Sequence, residues 1–480
     1  MNGLKKIGTN LYIEEIKGKK PIKYIANEKI LEQIEEGVYR QARNVILTPG
    51  VDDVVITPDA HHGYFCPIGC VAASKTIISP GAVGVDIGCG MRLILTNLNV
   101  HDLRTNGEIN RAQVRALMDG ILHDIPLGEK VRSFDTKTQS ELFDIFRGRR
   151  SSDDPEVREH RPFRIPKDIP VMEHLSGDVI KRAMKSVGSL GGGNHFIEIQ
   201  VVEEIHTDIA EKWGLRKDQI VAMVHSGSRN LGYQIADYWV TTTRKKFDRL
   251  GITYLDRDGM YMGVDTSEGQ HYIAEMRAAL NFAVENRAVM AKYVMQNIEK
   301  VFPGVKMSLL YDVCHNNAML EEHFGERFWV HRKGATRALP PKHPLLKGSR
   351  WFNTGHPVIL PGSMGTASYI MVGVDSEGNR LSYSSINHGA GRVMSRKRAT
   401  KIITQEQFER ALGDVLMNAR NYRSVVDECS LAYKDIDEII DSVVVAGLAE
   451  VVAKLKPIGV IKDDTSHRAP GWRRRKKRNR

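Results

Sequence analysis

The amino-acid sequence predicts an α+β fold: one large domain over residues 1–462, with mixed β-sheets flanked by helices, then a short basic tail at 463–480 expected to be disordered. Three observations carry this reading. Glycine- and β-branched-rich runs interleave with segments of helical period, without a fixed repeat. No Pro/Gly/Ser-rich linker divides the chain. And 480 residues, 41% hydrophobic and 26% charged, suffice for a large core and exclude a disordered or fibrous protein.

Taken in order, Glu28–Val45 reads as helix, and Val54–Asn99 has the glycine and β-branched content of strands and turns. Val131–Asp168 is polar, with Arg147–Pro155 a surface loop. Met184–Val202 is a glycine-rich loop leading into a strand. Glu268–Val301 reads as one long helix, because Tyr272, Met276, Leu280, Ala283 and Met290 recur at helical spacing. A peripheral helical lobe is expected near 240–300. Gly378-Asn379 predicts a hairpin turn over Asp375–Arg380, between strands Tyr369–Val374 and Leu381–Ser385. Gln405–Arg420 and Asp435–Leu455 read as closing helices.

Lysine and arginine number 69 against 58 acids, a net charge of +11. Eight of those bases lie between Ser466 and Arg480 with no acid among them; taking eight from +11 leaves +3 on the rest. Such a balance suits a polyanionic partner, although charge bears on association rather than fold. Met1–Lys20 has no apolar run after its lysines, so no signal peptide is expected. No uncharged apolar stretch approaches eighteen residues, so no membrane span is expected. Cys66, Cys70, Cys89, Cys314 and Cys429, irregularly spaced, do not form a disulfide framework and point to a cytoplasmic protein.

Several strand-like runs meet a histidine at a glycine, asparagine or serine loop. Ile220–Val224 leads to His225, Met307–Cys314 to His315, and Tyr383–Asn387 to His388; Gly191-Gly-Gly-Asn-His195 opens a strand instead. A rigid strand holding a side chain at its loop end is a common way to build a site. Gly84-Val-Asp-Ile-Gly-Cys-Gly-Met-Arg92 adds Asp86 and Cys89 on a tight turn. Carboxylate, thiolate and imidazole together suit a divalent transition metal, and a thiolate can bridge two. Taken alone, Asp86 and Cys89 read more readily as a buried glycine turn with an inert cysteine; the histidines reverse that preference. Cys66 and Cys70 lack the second cysteine pair of a zinc site. Pro361–Ser368 and His388-Gly-Ala-Gly-Arg392 offer backbone N–H groups, hydroxyls and a guanidinium to an anion, but neither is a Walker loop.

Together these residues resemble the RtcB family of RNA-splicing ligases. The matching blocks are Pro58-Asp-Ala-His-His-Gly63, Gly84–Gly90, Gly188–Phe196, His225-Ser-Gly-Ser-Arg229, His315-Asn316, His331–Ala338, Pro361–Thr366, His388–Arg392 and Lys456–Lys462. The resemblance implies a GTP- and Mn²⁺-dependent ligase that joins RNA 3′-phosphate or 2′,3′-cyclic phosphate ends to 5′-hydroxyl ends, in tRNA splicing or RNA repair. By position, Cys89 would bridge two manganese ions, with Asp86 and His195 on one and His225 and His315 on the other. His388 would be the nucleophile that takes GMP from GTP. Glu198, Tyr433 and Lys462 would hold guanine. Asn194, Asn316, Pro361, Gly362, Ser363, Ser368, Ala390 and Gly391 would surround ribose and phosphates, and Asp59, Arg229 and Arg392 would contact RNA or phosphate. An archease-like activator is a further expected partner.

His62, Phe65, Cys66, Cys70 and Asn317 depart from the family pattern, and the chain runs eighteen residues past Lys462. Two other classes compete: a manganese phosphoesterase acting on RNA ends without guanylylation, and a non-catalytic RNA-binding protein.

Overall fold

A computed structural model describes residues 3–105, 107–128, 137–149, 157–159, 162–419 and 421–464. Two large sheets dominate. The first runs, edge to edge, Leu4–Gly8, Leu11–Glu14, Ile22–Ile25, Asp53–His61, Ile68–Ser74, Glu326–Lys333, Asn316–His323. The second runs Met307–Cys314, Gly90–Asn99, Gln219–Ser226, Phe196–Ile205, Ala449–Ile461, Ser368–Gly373, Val358–Leu360, with Leu416–Met417 paired in parallel to Ala449–Ile461. Tyr24, Ile56 and Val330 of the first sheet share a core with Leu360, Met371 and Ala449 of the second. The α+β class is therefore as expected, and among the described residues no helix is long and apolar enough to cross a membrane.

Register in the second sheet positions the site. Gly90 pairs with Ser226 on one side and Cys314 on the other, and Phe196 pairs with His225. Three antiparallel ladders thus end together, leaving Cys89, His195, His225 and His315 at one rim. Glycine is required at position 90: a Cβ there would sit 2.3 Å from the Val313 carbonyl oxygen.

The long helix is present, over Ser267–Val301, but it is not peripheral. Met290, Ala291 and Val294 pack under Ile94, Ala222 and Val224 of the second sheet, and Asn286 and Arg287 are fully buried. Several of its polar residues, among them Glu275, Asn281, Glu285, Asn286 and Arg287, face inward, a pattern that reads from sequence as an exposed lobe.

Other expectations are corrected. Glu28–Val45 is two helices, Glu28–Gln33 and Glu36–Leu47, because Ile34 takes an extended conformation between them. The hairpin turn at Asp375–Arg380 is a short helix, Glu377–Leu381, capped by the Ser376 side chain. Asn379 donates to the Ala338 and Leu448 carbonyls at 2.9 and 2.8 Å, and the strand that follows, Ser385–Asn387, pairs with Ala335–Arg337 instead of folding back. The Gln405 helix stops at Leu412, where Gly413 turns to φ +60°. The helix from Ile436 ends at Val445, Gly447 takes φ +71°, and Ala449–Ile461 is a central strand. From Ala453 to Gly459 buried and more exposed residues alternate strictly, the period of a strand. Within the polar stretch, Gln139–Phe146 is a helix closed by a capping box at Thr138 and Glu141. The tail from 465 onward and the loop over 150–155 lie outside the described residues.

Candidate metal centre and nucleotide cavity

At the rim of the second sheet, two groups of donors share one sulfur. Cys89, His225 and His315 form one group and Asp86, Cys89 and His195 the other, with all ligand atoms of each group within 4.8 Å of one another. Cys89 Sγ lies 3.2 Å from His195 Nε2 and 3.3 Å from His225 Nε2. Asp86 Oδ2 lies 2.9 Å from His195 Nε2, and its other oxygen accepts from the Ser228 N–H at 3.1 Å. Cys66 and Cys70 belong to neither group; both are buried in the core.

Burial sets the protonation. It drives the Cys89 thiol well above its ordinary range, and the neighbouring Asp86 carboxylate adds to this. It drives the His225 and His315 imidazoles well below theirs, helped by the crowding of histidines. Burial alone raises the Asp86 carboxyl, but His195 outweighs it and holds the group low. The site thus gathers three imidazoles, those of His225 and His315 pushed toward the neutral form, around one thiol and one carboxylate. His195 and His225 each bury an Nδ1 that has no hydrogen-bond partner. Soft sulfur, imidazole and carboxylate fit a divalent transition metal, whose charge would favour the thiolate.

The His388 ring centre lies 4.9 Å from that of His315. Its Nδ1 meets Asp59 Oδ2 at 2.5 Å, and its backbone N–H donates to the same oxygen at 3.1 Å. Thr57 donates to the other Asp59 oxygen at 2.6 Å. Burial works to raise the Asp59 carboxyl, but His388 and Thr57 hold it below its usual value. An ionised carboxylate only accepts, so it fixes the proton on Nδ1 and leaves a lone pair on Nε2. Lys434 braces the segment by donating to the Pro58 and Ala60 carbonyls, both at 2.8 Å. Gly391, at φ +71°, lets the histidine loop approach: a Cβ there would lie 2.0 Å from the Asp59 carbonyl oxygen.

His388 opens on a cavity of about 410 Å³. Asn194, Glu198, His225, Pro361, Gly362, Ser363, Ala390, Gly391, Arg392, Tyr433 and Lys462 line it. Burial raises the Glu198 carboxyl to about 8 against the pull of Lys462. Lys462 donates to the His195 carbonyl at 3.2 Å. Arg392 covers one face of the Tyr433 ring at 4.8 Å, and the tyrosine lines the cavity.

The remaining expected residues stand outside the cavity wall. Ser368 is buried, 3.3 Å from the Gly362 N–H. Asn316 donates to the Asp86 carbonyl at 3.0 Å and accepts from the Gly334 N–H at 2.9 Å, so it braces the metal loop. Asp59, expected as a phosphate or RNA contact, is fully buried and engaged with His388. Arg229 donates to the Ser189 hydroxyl at 3.1 Å and to the Gly128 carbonyl. Arg392, by contrast, lines the cavity, and its guanidinium donates to the carbonyls of Met394 and Asp427 and to the Tyr433 hydroxyl.

Sequence reasoning missed Glu428, Arg396 and His61, which also line the cavity. Glu428 is buried, accepts from the Tyr433 hydroxyl, pairs with Arg396, and lies 3.4 Å from Arg392 and 3.8 Å from Lys462. The His61 ring stacks on His388 at 6.5 Å.

The family model described as tRNA-splicing ligase RtcB matches residues 41–463. A Thermococcus kodakarensis protein named tRNA-splicing ligase RtcB is 37% identical, covering 92% of this chain and 94% of its own length. Proteins of the same name from Aeropyrum pernix and Methanococcus maripaludis are each 36% identical, covering 91% of this chain and 94% and 93% of their own lengths.

Proposed function

This chain belongs to the RtcB family of tRNA-splicing ligases, and from that premise we propose that it is an RNA ligase that uses GTP and Mn²⁺ to join RNA 3′-phosphate or 2′,3′-cyclic phosphate ends to 5′-hydroxyl ends. The observation that carries the reading is the seating of His388: its Nδ1 is pinned by Asp59, and its ring lies between the shared-sulfur donor groups and the cavity. A phosphoesterase needs the donor groups but has no use for a base-sized cavity beside an imidazole with a directed lone pair.

Two Mn²⁺ ions, held by Asp86, Cys89 and His195 and by Cys89, His225 and His315, would neutralise phosphate charge during the reaction. In the first step His388 Nε2 attacks the α-phosphorus of GTP, forming a phosphoramidate and releasing pyrophosphate. The Asp59 carboxylate holds the Nδ1 proton and stabilises the charge that develops on the ring. An RNA 3′-phosphate oxygen then attacks the guanylate phosphorus and frees His388. Attack by the 5′-hydroxyl on the activated 3′-phosphorus makes the phosphodiester and expels GMP. A 2′,3′-cyclic end is first hydrolysed to the 3′-phosphate.

Guanine selectivity follows from three side chains. A Glu198 carboxylate accepts both N–H groups of the guanine Watson–Crick edge, Lys462 donates to O6, and the Tyr433 ring stacks on the base.

The test is guanylylation. Incubation with Mn²⁺ and GTP labelled at the α-phosphate gives an acid-labile protein–GMP adduct in the wild type and none in His388→Ala. Equal labelling of both removes the nucleophile assignment. Joining of a 5′-hydroxyl RNA to a 2′,3′-cyclic phosphate RNA, dependent on both GTP and Mn²⁺, tests the overall reaction.

A further inference from the structure

The Ser267–Val301 helix presents two consecutive buried polar residues to the metal-binding rim, and each is bonded to segments that carry the proposed ligands. Arg287 donates from one guanidinium nitrogen to the Gly88 carbonyl at 2.6 Å and the Ser226 carbonyl at 2.8 Å. Gly88 precedes Cys89 and Ser226 follows His225. Its other edge makes a bidentate pair with Asp312, at 2.8 and 2.7 Å, and Asp312 lies three residues before His315. Asn286 completes the set. Its side-chain oxygen accepts from the Gly188 and Ser189 N–H groups at 2.8 and 3.0 Å, in the segment that leads to His195. Its amide donates to the Ser226 hydroxyl at 3.2 Å and the Gly227 carbonyl at 3.1 Å.

We propose that Asn286 and Arg287 are positioning residues that set the spacing of the metal ligands, a role that rests on the metal reading of the site. Between them they tie down all four loops bearing Cys89, His195, His225 and His315, and they do so from one rigid helix. Arg287 bonds the carbonyls of the residues adjoining Cys89 and His225, and Asn286 bonds the backbone at Gly227 and in the loop that leads to His195. The fork of a guanidinium is needed at 287, because it bonds a carboxylate on one edge while its remaining nitrogen reaches two carbonyls. A lysine ammonium is a single point and cannot span those partners.

The readout is metal affinity, measured by calorimetric titration of Mn²⁺ into the full chain without GTP or RNA. Arg287→Lys and Asn286→Ala, each checked by circular dichroism for native secondary structure, are each expected to bind Mn²⁺ about 10–100-fold more weakly than wild type, as when hydrogen-bond partners behind metal ligands are lost. Arg332→Lys is the matched control. Arg332 is equally buried and makes a bidentate pair with Glu321, both bonds 2.8 Å, so its loss destabilises without touching a ligand-bearing loop. Its Mn²⁺ affinity should stay within twofold of wild type. Wild-type affinity in either folded variant, or an equal loss in Arg332→Lys, overturns the positioning role. A wild-type chain that binds no Mn²⁺ overturns the metal reading and this inference with it, so the two failures are told apart.

Discussion

Replacing Asp59 with asparagine isolates what the carboxylate does for His388. The amide is nearly the same size, so packing is kept. One Asp59 oxygen faces two donors, the His388 backbone N–H at 3.1 Å and Nδ1 at 2.5 Å, and the other faces the Thr57 hydroxyl at 2.6 Å. The new NH₂ group therefore turns toward Thr57, whose hydroxyl can rotate to accept, and the amide oxygen stays on Nδ1–H. The tautomer survives, and only the negative charge is lost. A hydrogen bond to a charged group contributes about 1.5–3 kcal/mol against about 0.5–1.5 for a neutral one. The difference, about 1–1.5 kcal/mol, corresponds to roughly a tenfold slower guanylylation.

Asp59→Ala removes the acceptor altogether, so nothing selects the Nδ1–H tautomer or the ring orientation. A misplaced catalytic group costs about 100-fold, and alanine should reach at least that. Single-turnover labelling with α-labelled GTP at saturating Mn²⁺ measures both rate constants. The expected order is wild type, then asparagine, then alanine, with about a tenfold step between asparagine and alanine. If asparagine is as slow as alanine, the carboxylate does more than hold a tautomer; if neither is slowed, Asp59 is not coupled to the nucleophile.

Three further outcomes follow from the same site. Because burial raises the Glu198 carboxyl to about 8, it is protonated at pH 7, yet accepting two guanine N–H groups needs the carboxylate. GTP binding at pH 7 should therefore release close to one proton, seen by calorimetry in buffers of different ionisation enthalpy, and Glu198→Gln should release none. The same shift makes Glu198 oppose folding as pH rises from its ordinary value toward 8, since the unfolded chain gives up the proton first. Glu428→Gln should weaken the hold on Tyr433, Arg392 and Lys462 together, lowering the preference for GTP over ATP in guanylylation by about tenfold, the equivalent of one charge-assisted hydrogen bond. Cys89→Ala removes the sulfur common to both donor groups, so titration should find neither Mn²⁺ site at full affinity, whereas His315→Ala should weaken one and spare the other.

The proposed ligands Cys89, His195, His225 and His315 were legible because each lies where a strand meets a loop, a local pattern that residue order alone displays. Their partners were not. Asp59 and His388 are separated by 329 positions and Arg287 and Gly88 by 199, and no spacing rule links such pairs. Glu428 sits among short 3₁₀ turns with no periodic pattern around it. Contact with RNA or phosphate was expected of Asp59 from the family resemblance, whereas the fold buries the carboxylate against His388 and Thr57.

The most consequential misreading concerns Ala449–Ile461, taken as helix as far as Leu455 because Val443–Val452 is apolar enough to suit either period. Ile461 pairs with Ile197 across the strand ladder, which sets Lys462 beside Phe196 and its ammonium on the His195 carbonyl. Had the helix continued, Lys462 would have been a surface residue, as its type alone suggests. A one-residue slip in that ladder would turn every side chain to the opposite face, carrying Lys462 away from both Glu198 and Glu428. The proposed guanine end of the cavity is thus a consequence of strand register, just as the proposed metal end is a consequence of three ladders stopping at Gly90. The two halves of the site are joined by one strand, Phe196–Ile205, which begins next to His195 and carries Glu198 two residues farther in.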